Sequence, residues 1–374
     1  MENKIREYAL DIGFDEVGFT TADSFPQLSE ALEERREGYS WVSEGLLQLA
    51  HVADPRNVLP SARSLVVLLY DYYKQAYPPA LLGRIGKAYQ SRLYPGKKRI
   101  FGSRLRLLRE YLQEKGMEVG FRPAMPERQA AVRAGIGRFG CNTFVYAPDR
   151  GSYVGIVALA VSGELEPAVQ EPASACSDDC RLCIEACPTG ALYEPFKMNP
   201  LRCIAFNTYG PGNFPGAPQD IPYDIREKMG SWIYGCDICQ DACPRNQKRL
   251  KKDLVPDMFL EEMAPKLAPE VLLNMDDRYF QQTVQQVLYG YLWEKKFLQR
   301  NAAIALGNSL DPAAVKPLAR AMEDPQEMVR AYAAWALGRI GGAKSKKALE
   351  NALGREESTV AKKEILLALE GCEL

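Results

Sequence analysis

Cysteine is the residue type in this chain whose number and spacing most clearly indicate chemistry. The chain has 374 residues and ten cysteines, eight of which fall between positions 176 and 243. Two runs, 176–188 and 236–244, both end in the pattern C-x2-C-x3-C-P, and Cys203 lies between them. The first residues are charged and form no export signal, so we expect a reducing cytoplasm and metal-binding thiolates instead of disulfides.

The two runs have the spacing of proteins that carry two [4Fe–4S] clusters in a ferredoxin-like domain, where they form an electron relay. In such proteins the last cysteine of each run binds the cluster of the other run. The crossover predicts Cys176, Cys180, Cys183 and Cys243 as ligands of cluster I, and Cys187, Cys203, Cys236 and Cys239 as ligands of cluster II. Three residues separate Cys176 from Cys180, where two are usual, so Cys176 is the least regular ligand.

Zinc is the alternative to iron–sulfur clusters, since paired C-x2-C motifs also build four-cysteine zinc sites. Eight cysteines in two interleaved sets of four, together with the Cys-Pro endings, favour clusters.

Composition indicates an ordinary globular protein of two or three domains. The chain is 47% apolar and 25% charged, with a formal net charge of −1. No apolar run is long enough for a membrane span, so we expect no membrane partner. The single histidine, His51, excludes a multi-histidine metal site and is expected to be structural.

Hydrophobic periodicity divides the chain into three predicted domains. Residues 1–165 alternate helical with strand-like segments, which predicts an α/β or α+β domain. Residues 166–252 begin with a linker rich in Pro, Glu and Ala and contain the cysteine runs. Within them, residues 209–218 are so rich in Gly and Pro that we expect no regular structure there. Residues 253–374 are predicted to be helical.

An internal repeat in the last domain predicts an α-solenoid of the HEAT type. Residues 296–307 and 327–338 each carry an arginine, Arg300 or Arg330, followed by an Ala-rich face and Leu-Gly. Asp-Pro turns lie between the two segments. The helices either cap the structure or form a binding surface for a large partner.

Two basic stretches are candidates for contact with phosphates. Between Arg84 and Arg109 there are nine Lys or Arg residues and no acid, with aromatic residues interleaved, and Arg245–Lys252 holds five more. Such stretches bind RNA phosphates and stacked bases, or they are solvated helix faces.

A glycine-rich segment, Arg133–Gly140, is a candidate cofactor loop. Its glycines at 135, 137 and 140 spell G-x-G-x-x-G, but a helix instead of a strand is predicted before them, so the dinucleotide fingerprint is incomplete. The loop either approaches a flavin or a corrinoid closely or is a tight turn. Cys141 either faces a cofactor or is a buried free cysteine, and Cys372 is expected to be inert.

Together these features resemble the epoxyqueuosine reductases, which are cobalamin and double [4Fe–4S] enzymes of tRNA queuosine synthesis. The resemblance covers nearly the whole chain. It is carried by Gly18–Ala22, Asp54-Pro55, Leu59-Pro60, Ser64–Tyr70, Glu127-Arg128, Arg133–Gly137, Asn142-Thr143, Gly151–Val154, Cys187–Ala191, Arg202–Ile204, Tyr234–Asp237, Gln299–Ala302 and Ala334–Gly338.

The resemblance implies a multidomain α/β protein with a cobalamin-binding domain similar to that of reductive dehalogenases, a two-cluster domain and a HEAT-like solenoid. It implies that the clusters reduce cobalamin to its cobalt(I) state and that a tRNA epoxide is reduced to an alkene. An external donor of the ferredoxin or flavodoxin type would supply electrons to a cytoplasmic monomer. The cofactor-binding residues implied are Arg133, Gly135, Gly137, Cys141, Asn142, Ser152 and Tyr153.

The chain departs from the family pattern at the substrate pocket. The family's proton-donating Asp is replaced by Phe121, its Gly-Arg-Asp-Tyr-His by Ser91–Pro95, and a Lys by Cys141. Because Phe cannot donate a proton, we expect Tyr94, paired with Arg92 or Arg122, as an alternative donor. The departures keep two further functions open: a reductase of the same architecture for a small molecule, and an electron-transfer or corrinoid-activating protein.

Overall fold

The structure is a computed structural model that describes residues 1–42, 52–93, 96, 99–121, 125–168, 174–214, 216–288, 291 and 293–371. Helices of the amino-terminal region are α1 (Glu2–Asp11), α2 (Pro26–Glu34), α3 (Ile100–Glu114) and α4 (Glu127–Arg133). Its strands are β1 (Glu16–Thr21), β2 (Ser64–Asp71), β3 (Val119–Gly120), β4 (Arg138–Phe139), β5 (Val145–Tyr146) and β6 (Val154–Val161). Short 3₁₀ helices cover Glu37–Val42, Pro55–Asn57, Pro79–Leu81 and Ser91–Leu93.

A four-stranded sheet with the order β1-β2-β6-β3 forms the centre of this region, and its neighbouring strands pair antiparallel. Strand β2 is almost continuously apolar because both faces of the sheet are covered. Its Leu65, Val67 and Leu69 face the core under α4, whereas Val66 and Leu68 face the core under α1 and α3. The predicted combination of helices and strands is confirmed, as a sheet between two helical layers.

The cluster region consists of short elements. They are α5 (Leu182–Glu185), β7 (Leu192–Glu194), β8 (Lys197–Met198), a 3₁₀ helix (Pro200–Arg202), α6 (Ile204–Asn213), α7 (Tyr223–Lys228), α8 (Ile238–Asp241) and α9 (Pro244–Leu250).

The expectation that residues 209–218 lack regular structure is wrong for their first half, because α6 continues to Asn213 with Pro211 inside it. Proline has no N–H for the carbonyl of residue 207, which would normally weaken a helix. Here the guanidinium of Arg300 donates to the Asn207 carbonyl, and the Asn301 amide donates to the Thr208 carbonyl at 2.8 Å. Side chains from the next domain thus satisfy the helix at its proline.

The last region is helical, as predicted. Its helices are α10 (Met258–Met263), α11 (Pro269–Leu273), α12 (Asp277–Tyr279), α13 (Gln285–Val287), α14 (Lys295–Ser309), α15 (Val315–Ala321), α16 (Glu327–Ile340), α17 (Gly342–Leu353) and α18 (Thr359–Gly371). A π-helix covers Phe280–Val284, and 3₁₀ helices cover Ala264–Leu267 and Pro312–Ala314.

The repeat glycines explain how these helices stack. A Cβ at Gly307 would lie 2.8 Å from the Cα of Ala336, and one at Gly338 would lie 2.6 Å from the Cβ of Ala368. Glycine therefore lets α14 pack closely on α16, and α16 on α18. The core formed by these helices continues into the cluster region and reaches Tyr73 and Ile85 of the amino-terminal region. Within the described residues, no helix is long and apolar enough to cross a membrane.

Candidate active site and cluster centres

The thiols predicted for cluster I lie close together. Burial raises the pKa of Cys183 to about 11. The neighbours that raise it further are the other three members of the set, Cys176, Cys243 and Cys180. The exposed residues 177–179 and 181–182 surround this site, so cluster I would lie just beneath the protein surface.

The thiols predicted for cluster II form a second group, and each of the four residues is half-buried. Burial raises the pKa of Cys236, and Cys203 and Cys187 contribute to the same direction. Burial also raises the pKa of Cys239, with Cys203 as the next cause. The structure brings the members of each set together, and their assignment as ligands stays a prediction.

The two groups are adjacent, because Cys183 of the first set packs in one small core with Cys187 and Cys239 of the second. Among the described residues, no three His, Cys, Asp or Glu side chains converge as a single metal ion would need. Ligands of a four-iron cluster bind different irons around a cage and lie farther apart. The spacing therefore fits clusters better than a four-thiolate zinc site.

A buried ion-pair network links the amino-terminal region to the second cysteine run. The Nζ atom of Lys87 lies 3.2 Å from Oδ2 of Asp237 and 2.9 Å from Oδ1 of Asp241, and the Tyr153 hydroxyl donates to Asp241. Desolvation opposes the charge of Lys87, but the two carboxylates raise the pKa of this amine overall. The sequence analysis missed this network because its members are about 150 positions apart.

The predicted cofactor residues Asn142, Ser152 and Tyr153 lie at the same interface. The Asn142 amide donates to the Tyr146 hydroxyl at 2.9 Å and to the Cys239 carbonyl at 3.2 Å. The Ser152 hydroxyl donates to Oε1 of Gln240 at 2.9 Å. These side chains hold the second cysteine run in place, and their role toward a corrinoid stays a prediction.

Gly151, beside them, has a positive φ of 61°, and a Cβ there would lie 2.1 Å from Oδ1 of Asn246. Glycine is therefore required for the close approach of Asn246, whose Oδ1 accepts from the Ser152 N–H at 3.0 Å.

The glycine-rich loop has a structural role in this conformation. Arg133 donates to Oγ1 of Thr20 at 3.0 Å and to the carbonyls of residues 21, 23 and 24, and its guanidinium lies 3.6 Å from the centroid of the Phe25 ring. Gly135 has a positive φ of 74°, and a Cβ at Gly137 would lie 2.3 Å from Cγ1 of Val145. The tight-turn alternative accounts for these three residues, and their contact with a cofactor stays a prediction.

Aromatic side chains of the amino-terminal region pack against those of the cluster II region, as Trp41 does against Phe206. Burial raises the pKa of both Tyr39 and Tyr209; Cys203 raises it further and Arg128 lowers it. Both tyrosines therefore lie within electrostatic range of Cys203 and Arg128. The Tyr89 ring centroid lies 5.8 Å from that of Tyr209, and part of each of these two side chains remains accessible.

A broad flat ring such as a corrin suits these side chains, because the aromatic faces supply apolar contact and the few polar atoms supply orientation. The residues present thus fit a corrinoid. His51 lies outside the described residues.

Glu127 is a candidate functional residue whose role the sequence did not reveal. Its side chain is half-buried at the start of α4. Burial raises the pKa from its ordinary 4.5 to about 8, with Arg128 opposing the shift. A carboxyl in this state holds its proton at neutral pH.

The proposed catalytic candidates are only partly described. Tyr94 and Arg122 lie outside the described residues. Arg92 forms an ion pair with Asp257, the residue that caps α10. Phe121 packs, partly buried, against the core under α1 and α3.

Several members of the basic stretches are paired within the fold. Besides Lys87 and Arg92, Arg99 donates to the Gln285 carbonyl at 3.0 Å, and Arg249 forms an ion pair with Asp71 at 2.8 Å. Lys97 and Lys98 lie outside the described residues. The four paired residues join separate regions of the chain.

Comparison with known proteins identifies the relatives of this chain. The family model of the 4Fe-4S double cluster binding domain matches residues 176–246, and that of HEAT repeats matches residues 294–370. The chain is 33% identical to the epoxyqueuosine reductase of Bacillus subtilis (strain 168), with 99% of this chain and 95% of that protein covered. The chain belongs to the epoxyqueuosine reductase family.

Further epoxyqueuosine reductases match at similar levels. That of Staphylococcus aureus is 32% identical over 96% of this chain and 94% of its own. A crystal structure of an epoxyqueuosine reductase with an epoxyqueuosine-modified tRNA-Tyr stem loop matches with a TM-score of 0.85 and 31% identity, over 100% of this chain and 99% of that chain. A Bacillus subtilis structure, described as having its catalytic aspartate loop swung out of the active site, matches with a TM-score of 0.84 and 32% identity, over 99% and 98%.

Membership in the epoxyqueuosine reductase family confirms the predicted resemblance, fold class and oxidoreductase activity. The double-cluster match confirms two [4Fe–4S] clusters, and the family's cofactors include cobalamin. The HEAT prediction is confirmed as well.

Proposed function

We propose that this chain reduces epoxyqueuosine in tRNA to queuosine. The observation that carries the proposal is the full-length match to a reductase bound to an epoxyqueuosine-modified stem loop. Conversion of an epoxide to an alkene takes up two electrons and two protons and releases water. The chain must therefore provide an electron path, a reductant and a proton source at one site.

The electron path runs from the surface inward. Cluster I lies beneath exposed residues, including Asp178 and Asp179, and is the entry point for an external donor of the ferredoxin or flavodoxin type. Cys187, Cys203, Cys236 and Cys239 would hold cluster II near Tyr209, where it would supply electrons to a cofactor. Cys183 and Cys239 belong to one small core, which supports transfer between the two clusters.

The region around Tyr39, Tyr89 and Tyr209 is the proposed site of cobalamin. Cobalamin bound there would supply a reductant of low potential that acts on a carbon of the epoxide. The tyrosine rings orient the bound groups and exclude water, and Arg128 provides a cation for phosphate or an oxyanion.

Glu127 is the proposed proton source. The family's acid is replaced by Phe121, which faces a core and carries no proton. Glu127 follows on the same segment, and burial raises its pKa to about 8, so that its carboxyl holds a proton at neutral pH. Its carboxyl would protonate the oxygen that leaves the epoxide.

The enzyme acts in the cytoplasm as a monomer. Its HEAT-like helices offer a surface for the tRNA stem. The test is single-turnover reduction of an epoxyqueuosine stem loop by anaerobic protein loaded with iron and cobalamin. We expect about eight irons and one cobalt per chain, formation of queuosine, and binding that weakens as salt rises.

Phe121, which stands where the family has its acid, favours one second candidate function. In it, the same clusters and cofactor reduce a small molecule. In that case cobalt and iron would be present, but no stem loop would bind or react. Iron without cobalt would instead indicate an electron carrier.

A further inference from the structure

Cys141 belongs to neither predicted ligand set, yet it lies directly against cluster I. Its backbone N–H donates to the Sγ atom of Cys176 at a distance of 3.4 Å. It is 3% exposed and shares one small core with Cys183.

The Cys141 side chain packs in the same small core as Cys183, and Cys176 packs against that core. Cys176 and Cys183 are members of the set predicted for cluster I. A fifth thiol thus lies beside a cluster that needs four.

Cys176 and Cys141 are held differently. Cys176 is the ligand with the irregular spacing, and its N–H is fixed by the Ser174 hydroxyl at 3.0 Å. Cys141 follows β4, and its carbonyl accepts from the Phe196 N–H at 2.9 Å. The Gly140 N–H donates to the Phe144 carbonyl at 2.8 Å, so the backbone before Cys141 is also anchored.

We propose that Cys141 is an alternative ligand of cluster I that shares one iron site with Cys176. In the exchange, the iron–sulfur bond to Cys176 breaks as the bond to Cys141 forms. The proton of the Cys141 thiol passes to the released sulfur of Cys176, and no electron is transferred. The cluster keeps four cysteine ligands throughout, which protects it at the irregular position. This inference rests on the double-cluster domain and is independent of the substrate.

The test is iron content and electron paramagnetic resonance of the reduced, anaerobic protein. The variants are Cys141→Ala, Cys176→Ala and the double variant, with Cys183→Ala as a matched control that loses a regular ligand. We expect about eight irons in both single variants and about four in the double variant and the control. The cluster II signal, retained in all of them, reports an intact fold.

Loss of four irons in Cys176→Ala, as in the control, would overturn the proposal. Loss of four irons in Cys141→Ala but not in Cys176→Ala would make Cys141 an exclusive ligand and would also overturn the proposal. Retention of eight irons in the double variant would overturn it as well. If Cys176→Ala also loses cluster II, the fold itself is damaged and a milder substitution is needed. The iron content of Cys176→Ser is then compared with that of the double variant Cys141→Ala/Cys176→Ser. Retention of cluster I in the first and loss in the second supports the proposal, and any other pair of results contradicts it.

Discussion

The Nζ atom of Lys87 lies 3.2 Å from Oδ2 of Asp237, and both side chains are 2% exposed. Asp237 follows the predicted cluster ligand Cys236, so the only cation of this buried network stands beside cluster II within the described part of the chain. The backbone N–H of Lys87 donates to the same carboxylate oxygen at 2.8 Å. One residue of the amino-terminal region thus fixes both the position and the charge environment of the second run.

We predict that Lys87→Met destabilises the protein by about 3–5 kcal/mol, because it leaves the buried carboxylate of Asp237 without its cation. Loss of a positive charge near cluster II should also lower its reduction potential. Denaturant unfolding and a redox titration followed by electron paramagnetic resonance measure the two effects.

Lys74→Met is the matched control for this change, since Lys74 is half-exposed and pairs with Asp15 at 2.7 Å. We expect it to change stability by less than about 1 kcal/mol. An equal loss in both variants would show that the buried position of Lys87 has no special importance.

Replacement of Glu127 by Gln should abolish most single-turnover reduction while stem-loop binding stays unchanged, because an amide cannot donate the proton. In the unsubstituted protein the rate should fall as pH rises through about 8, where the carboxyl loses its proton. The exposed Glu30→Gln serves as control. A variant with full activity and the same pH profile would remove Glu127 from the mechanism.

The same carboxyl makes stability depend on pH. Its pKa rises from 4.5 to about 8 on folding, so between these values the folded state binds the proton that the unfolded state has released. The free energy of unfolding should therefore fall as pH increases from 4.5 to 8. Glu127→Gln should reduce this slope, as measured by denaturant unfolding at several pH values.

Phe121→Asp should raise reduction of the epoxyqueuosine stem loop or leave it intact, because it restores an acid at the family position. In a Glu127→Gln background it should restore lost activity. Phe121 is partly buried, so we expect a stability cost of about 1–2 kcal/mol. If neither the original chain nor the variant reduces this substrate, epoxyqueuosine tRNA is not the substrate.

Arg300→Met should destabilise the protein by roughly 2–4 kcal/mol, because it removes the guanidinium that donates to the buried Asn207 carbonyl and to the carbonyl of Gln219. The effect should include the start of α6, which follows the cluster II ligand Cys203, and should be visible as faster loss of cluster II on heating. The exposed Arg320→Met is the control. Equal stability of the two variants would mean that α6 tolerates Pro211 without help.

Local patterns predicted what depends on local spacing. The cysteine runs indicated clusters because ligands must stand at fixed short separations, and the repeat at Arg300 and Arg330 indicated stacked helices because each repeat carries its own apolar face. The wrong expectation for residues 209–213 had a non-local cause, since Arg300 and Asn301 satisfy a helix that its own sequence disfavours.

The sequence by itself thus determined the two cluster motifs, the helical and strand periods and the HEAT repeat. Only the tertiary structure decided that the basic stretch supplies Lys87 to a buried network, that Cys141 stands beside Cys176, and that burial raises the pKa of Glu127. The physical reason is that charge pairing, proton affinity and ligand choice depend on distances and burial between residues far apart in the chain. Those distances are set by packing of the whole molecule.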